Sequence, residues 1–220
     1  MEKDFWHKRW ENNEIGFHQA DINPYLKQCW LQLVPSKGRV LVPCCGKSQD
    51  MMWLAEQDFQ VLGVEISATA VEDFFNENAL KALVQERGHF SSWENNNIQL
   101  MCGDFFALTK ADVSDVVAVY DRASMIAMPA EMRQKYCQHL KRILPAAASI
   151  FLVTMEYPQE DMDGPPFSVS EEEVRQQYES QFSVRLVESQ DIIDREAYFK
   201  ERGLDRLVEN VYLITPTSNG

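Results

Sequence analysis

A chain of 220 residues, 45 % hydrophobic and 25 % charged, is long enough to bury a sizeable core and has the composition of an ordinary globular protein. Its formal net charge of −13 disfavours docking on a phosphate backbone, so the expected partner is a small molecule rather than a nucleic acid. Five cysteines, odd in number and without a C-x-x-C pair, argue against a disulfide framework or a metal site.

Along the chain, Trp6 and Trp10 stand four apart, on one face of a first helix. Asn23-Pro24 reads as an N-cap followed by proline at the first helical position, with Leu26, Trp30 and Leu33 as the apolar stripe. Residues 39–43 form a strand, and Ser48 caps a helix through Met51, Met52 and Leu54. Residues 60–66 form a second strand, followed by a helix capped by Ser67 and carrying Val71, Phe74 and Phe75. Strands at 98–102 and 116–120 come next, then a helix marked by Met132, Tyr136 and Leu140. Residues 150–155, IFLVTM, are apolar almost throughout, as a strand buried on both faces requires. Such alternation predicts right-handed βαβ units and a mostly parallel sheet covered by helices. In the last quarter, Ser170-Glu171-Glu172-Glu173 is a capping box opening a helix. Strands at 184–188 and 208–215 follow with little helix between them, which predicts an antiparallel finish.

Ligands of open α/β sheets bind beyond the carboxyl ends of the strands. Three features converge there: Gly46 in the turn after strand one; Glu65, 19 residues further on, at the end of strand two; and Gly103-Asp104 after strand three. An acid at that interval is where a ribose diol is gripped. A dinucleotide would need G-x-G-x-x-G, which is absent, and Gly46-Lys47-Ser48 lacks the earlier glycine of a triphosphate loop, Leu41 standing there. S-Adenosylmethionine carries no phosphate and needs fewer glycines, so the loop favours a methyl donor.

The residues are also similar to a known family. W-x-x-x-W at Trp6 to Trp10, Gly16-Phe17-His18-Gln19, Pro43-x-Cys45-Gly46-Lys47 and Gly63-Val64-Glu65-Ile66-Ser67 occur in order. They are followed by Asp121-Arg122, Gly164-Pro165-Pro166-Phe167 and Val211-Tyr212-Leu213. Nearly end to end, the chain resembles the thiopurine S-methyltransferase family, at the length of its bacterial members. The resemblance implies a Rossmann-like class I AdoMet-dependent methyltransferase fold: a seven-stranded, mostly parallel sheet with an antiparallel last strand and helices on both faces. It implies methyl transfer to aromatic or heterocyclic thiols, with S-adenosyl-L-homocysteine as product and no metal. Carried over by position, Trp6 and Trp10 form a lid over the cofactor, and Phe17 lies at the cofactor–acceptor boundary. Glu65 holds the ribose, Asp104 and Phe105 flank the adenine, and Arg122 serves both cofactor and catalysis. Pro165 and Pro166 wall the acceptor pocket, and Arg195 is the second acceptor-side arginine. Cys44 stands where relatives often have leucine, which leaves that position a backbone contact.

The overall expectation is one methyltransferase domain, 1–220, with a helical lid at 1–37. The expected location is the cytoplasm, since no apolar run approaches the roughly 20 residues of a membrane span and MEKDFWHKRWEN has no apolar leader stretch; the expected state is a monomer. The alternatives are a methyltransferase for selenium or tellurium species, sulfide or halide, and a module that binds a nucleoside without turnover.

Overall fold

A computed structural model describes residues 3–34 and 36–217. Residues 1, 2 and 35 of the expected lid segment, and 218–220 of the expected domain, lie outside the described residues. The chain divides into two compact units, residues 1–119 with 143–145 and residues 120–142 with 146–220.

The first unit contains α1 (Lys3–Glu11), α2 (Pro24–Leu33), β1 (Arg39–Pro43), α3 (Asp50–Glu56), β2 (Gln60–Glu65) and α4 (Ala68–Glu77). It continues through β3 (Leu83–Arg87), β4 (Phe90–Asn95), β5 (Ile98–Cys102) and most of β6 (Val116–Asp121). Its strands are ordered β3-β4-β5-β2-β1-β6. β1 runs parallel to β2 and β6, and β2 parallel to β5. The βαβ pattern is therefore as the sequence predicts. Leu41, Leu62 and Leu100 from the central strands are fully buried, with Met51, Leu54, Phe74 and Phe75 from the helices among the core. Asn23 caps α2, its Oδ1 accepting from the N–H groups of Tyr25 at 3.0 Å and Leu26 at 3.3 Å. The buried Asp50 accepts the Asn23 N–H at 2.7 Å, which ties α2 to the start of α3.

The second unit contains α5 (Ala130–Ile143) up to Arg142, β7 (Ser149–Glu156), α6 (Glu171–Tyr178), β8 (Phe182–Asp191), α7 (Ala197–Glu201) and β9 (Val208–Pro216). β9 lies between β7 and β8 and is antiparallel to both, as the sequence pattern predicts for the finish. A satellite core of Tyr157, Met162, Ile192, Ile193, Phe199, Leu204 and Leu207 fills the loops beyond these strands.

Three sequence expectations require correction. The described residues contain nine strands, not seven. Two of them, β3 and β4, form an antiparallel hairpin added beside β5. Every residue of β3, LVQER, is exposed, and in β4, FSSWEN, only Phe90 and Ser92 are buried, so neither presents an apolar stripe. Ser48 does not stand at the N-cap of α3, which is Gln49, although the Ser48 hydroxyl accepts the Asp50 N–H at 3.2 Å. The capping box at α6 is half made. Ser170 accepts the Glu173 N–H at 3.2 Å, but the Glu173 carboxylate is taken by Arg133 instead of reaching back.

Candidate functional site

In the first unit the three expected features come together at the carboxyl ends of β1, β2 and β5. Pro43 pairs with Val64, and Glu65 with Cys102, so the turns that follow start side by side. Glu65 is 5 % exposed, and its two oxygens are divided between neighbours. Oε2 accepts the Gly46 N–H and Oε1 the Ser67 N–H, each at 2.9 Å. The Glu65 carbonyl accepts the Gly103 N–H at 2.8 Å. One residue thus fixes the loop after β1, the start of α4 and the turn after β5. Burial pushes the Glu65 carboxyl above its ordinary range, against the opposing pull of the Ser67, Gly46 and Ile66 N–H groups and of His7.

The loop is tight. Cys44 and Gly46 both have positive φ, at 47° and 50°. Gly63, beneath it on β2, leaves room for the thiol of Cys45; a Cβ there would stand 2.8 Å from that sulfur and 2.3 Å from Leu100. Lys47 turns away to α4, with Nζ 2.6 Å from Glu77 and 3.3 Å from Asp73. That cation is neutralised within the fold, in keeping with a loop not built for phosphate. Asp104 caps a 3-10 turn, Phe105–Ala107, by accepting the Phe106 N–H at 3.0 Å; Phe105 is buried.

α1 lies over this loop. Trp10 is buried, and its ring edge is so close to Gly46 that a Cβ there would be 2.9 Å from Cζ2. Phe17 stands edge-on to Trp6 at 5.6 Å and to Trp10 at 5.5 Å while remaining 41 % exposed. Offset and edge-on pairs of this kind add about 0.5–1.5 kcal/mol each beyond their burial.

In the second unit, Arg122 follows directly on the end of β6 and is half-buried. Among the described residues it has no ion-pair or hydrogen-bonding partner. Its neighbour Asp121 accepts instead from the Tyr136 hydroxyl at 2.5 Å and the Ser124 N–H at 3.2 Å. Glu156 accepts from Asn210 at 3.1 Å. Pro165 and Pro166, each preceded by a cis peptide bond, lie in a segment pinned at the Pro166–Phe167 peptide. The Phe167 N–H donates to the Ile126 carbonyl at 2.6 Å, and the Tyr157 hydroxyl to the Pro166 carbonyl at 2.5 Å. Arg195 ends a short 3-10 turn, Ile193–Arg195, and is exposed.

Asp121 gives a pH signature. Burial pushes its carboxyl from 3.8 up to about 6, despite the donors of Tyr136, Ser124 and Met125. As the pH rises from 4 to 6 the unfolded chain releases this proton first, so stability falls across that window and levels above it. That displacement corresponds to about 3 kcal/mol. Comparing Tm for the native chain and Asp121→Asn between pH 4.5 and 7 should show the variant gaining on the native protein as the pH rises. A constant difference would contradict this.

Sequence reasoning used Lys47 only within a motif and Tyr136 only as a helix marker, and gave neither of them, nor His7, a part in the site. His7 sits between the two tryptophans that were noticed, and the i+4 spacing that revealed them skipped it. Lys47 and Tyr136 act through partners 26 to 30 and 15 residues away, which local pattern does not expose.

Residues 1–217 match the family described as thiopurine S-methyltransferase. A thiopurine S-methyltransferase of Pseudomonas fluorescens Pf-5 is 48 % identical over 216 residues, 98 % of this chain and 97 % of that one. One from Azotobacter vinelandii is 50 % identical over 214 residues, covering 96 % and 98 %. Among solved structures, the Burkholderia thailandensis 1,6-didemethyltoxoflavin-N1-methyltransferase, with 1,6-didemethyltoxoflavin and S-adenosylhomocysteine bound, superposes with a TM-score of 0.65 at 13 % identity. The match covers 98 % of this chain and 87 % of that one. A SAM-dependent methyltransferase from Anabaena variabilis gives a TM-score of 0.64 at 13 % identity, covering 98 % and 95 %. The fold is that of the SAM-dependent methyltransferases.

Proposed function

From the premise that this chain belongs to the thiopurine S-methyltransferase family and is an S-adenosyl-L-methionine-dependent methyltransferase, we propose that its acceptor is the sulfur of an aromatic or heterocyclic thiol such as a thiopurine. The observation that carries the donor half of this reading is the convergence of Gly46, Glu65 and Gly103 on one carboxylate and its backbone. The donor set suits S-adenosyl-L-methionine. Oε2 of Glu65 accepts from Gly46 and Oε1 from Ser67, and a carboxylate's roughly four lone-pair sites keep capacity for a ribose hydroxyl. A loop with one glycine, roofed by an indole, has little room for a diphosphate.

Glu65 is assigned to the ribose, Asp104 and Phe105 to the adenine side, and the backbone at Cys44 to the loop contact. Trp6 and Trp10 cover the donor, and Phe17 stands at the boundary with the acceptor. Pro165 and Pro166 wall the acceptor, with Arg195 as a second cation beside it. When bound, the donor supplies a methyl group already activated on a sulfonium, so the protein's share of the work is alignment, exclusion of water and charge. The displaced thiol proton goes to solvent. Arg122 favours the thiolate, because an opposite charge within a few ångströms stabilises the ionised form. Its freedom from Asp121 and Glu156 leaves the guanidinium available for that contact. The reading takes the protein as a cytoplasmic monomer with no nucleic-acid partner. Separately, no described helix is long and apolar enough to cross a membrane.

The test is a screen with labelled methyl donor over thiopurines, thiophenols, selenite and tellurite, with S-adenosyl-L-homocysteine release as the readout. Turnover of the heterocyclic thiols is expected; binding of the donor without turnover would favour the module instead. Arg122→Ala should lower kcat/KM for a thiol acceptor at least about tenfold, or 1.4 kcal/mol, which one charge-assisted contact supplies. Unchanged kinetics would remove Arg122 from the acceptor site.

A further inference from the structure

Asp121 has no part in the mechanism above, yet it is held at evident cost. It is fully buried, and among the described residues no cation pairs with it. Burying a carboxylate without a counter-ion is expensive unless donors saturate it. Four donors do: the Tyr136 hydroxyl at 2.5 Å, the Ser124 N–H at 3.2 Å, and the Ser124 hydroxyl and Met125 N–H. The other titratable groups facing it are Cys137 on α5 and Tyr178 on α6, both uncharged and fully buried.

The positions of those donors matter. Tyr136 belongs to α5, while Ser124 and Met125 close the turn that begins with Arg122. The carboxylate therefore winds the turn around itself and ties it to α5. The far end of the same segment is fixed by a second contact from α5. Arg133, 4 % exposed, donates from Nη1 to the Met128 carbonyl at 2.8 Å and grips Glu173 with Nε and Nη2 at 2.7 and 2.8 Å. Between these anchors, the Ile126 carbonyl receives the Phe167 N–H, next to the Pro165-Pro166 wall. Arg122 and Ala123 are left as the span that these contacts orient.

We propose that Asp121, held by Tyr136, is a positioning residue that sets the turn displaying Arg122 to the methyl acceptor. The inference rests on the assignment of Arg122 to that acceptor. A residue that merely stabilised the fold would lose activity through stability, with or without Arg122. A residue acting through Arg122 loses its effect once that side chain is gone.

The experiment is a double-mutant cycle on the full chain, with kcat/KM for a thiopurine and calorimetric affinity for S-adenosyl-L-methionine measured on native, Asp121→Asn, Arg122→Ala and the double variant. Asp121→Asn is expected to lower kcat/KM about fivefold or more, and to have no further effect on Arg122→Ala in either kcat/KM or donor affinity. If Arg122→Ala is impaired but Asp121→Asn costs the same factor in both backgrounds, or costs nothing in the native one, the inference is overturned. If Arg122→Ala itself is unimpaired, the acceptor assignment fails and the inference falls with it. Should Asp121→Asn not fold, Tyr136→Phe takes its place in the same cycle; it removes one donor and keeps the ring.

Discussion

Glu65→Gln should weaken binding of S-adenosyl-L-methionine by at least about 100-fold. The substitution keeps the volume and removes the charge. In the native chain both oxygens already accept from backbone, Gly46 on one side and Ser67 on the other. A glutamine amide has one oxygen, so its NH2 must point at one of those N–H groups, donor against donor, and either the loop after β1 or the start of α4 shifts. The ribose hydroxyls then meet a neutral acceptor at best. Hydrogen bonds to a charged group contribute about 1.5–3 kcal/mol each, so losing two of them exceeds the roughly 2.7 kcal/mol that a factor of 100 represents. Isothermal titration with the donor and with S-adenosyl-L-homocysteine measures this, with Tm as the control on folding. Affinity within threefold of native would mean that Glu65 serves only to clamp Gly46 and Ser67.

The same residue explains why the meeting of these strand ends was legible in the sequence. A strand ending in a lone acid, 19 residues after a lone glycine, has few purposes in an α/β chain, and the structure brings both to adjacent strand ends. The helices were legible for a local reason: Asn23 and Ser67 cap within three residues of themselves. What escaped depends on distance along the chain. The β3–β4 hairpin has no buried stripe, because β3 is an exposed edge strand, and period-two reading needs one buried face. The capping box at Ser170 failed in its second half because Arg133, 40 residues earlier, competes for Glu173 and wins with a bidentate ion pair. The second acceptor-side arginine was the hardest to place. Arg195 came from family position alone, and it lies exposed at the end of a short turn, where no local signal separates it from a solvated cation.

Replacing both Trp6 and Trp10 by alanine in the full chain should weaken donor binding by about tenfold to 100-fold while the chain remains folded. Trp10 is the point of contact: its indole rests on Gly46, whose N–H is held by Glu65, so the roof of the loop and the proposed ribose anchor share one glycine. At 5 % exposure, Glu65 is nearly closed off, and the lid reading requires α1 to move aside before the donor reaches it. Closing again over bound donor would place aromatic faces against a sulfonium, about 0.5–2 kcal/mol for each cation–π contact, and would shed water from the site. Phe17 braces both rings edge-on, so removing both strips its support as well as the rings themselves. If the rings serve only to pack α1, Tm falls and donor affinity does not. If they form a lid, affinity falls further than Tm, and Trp10→Phe, which keeps an aromatic face over Gly46, recovers most of it.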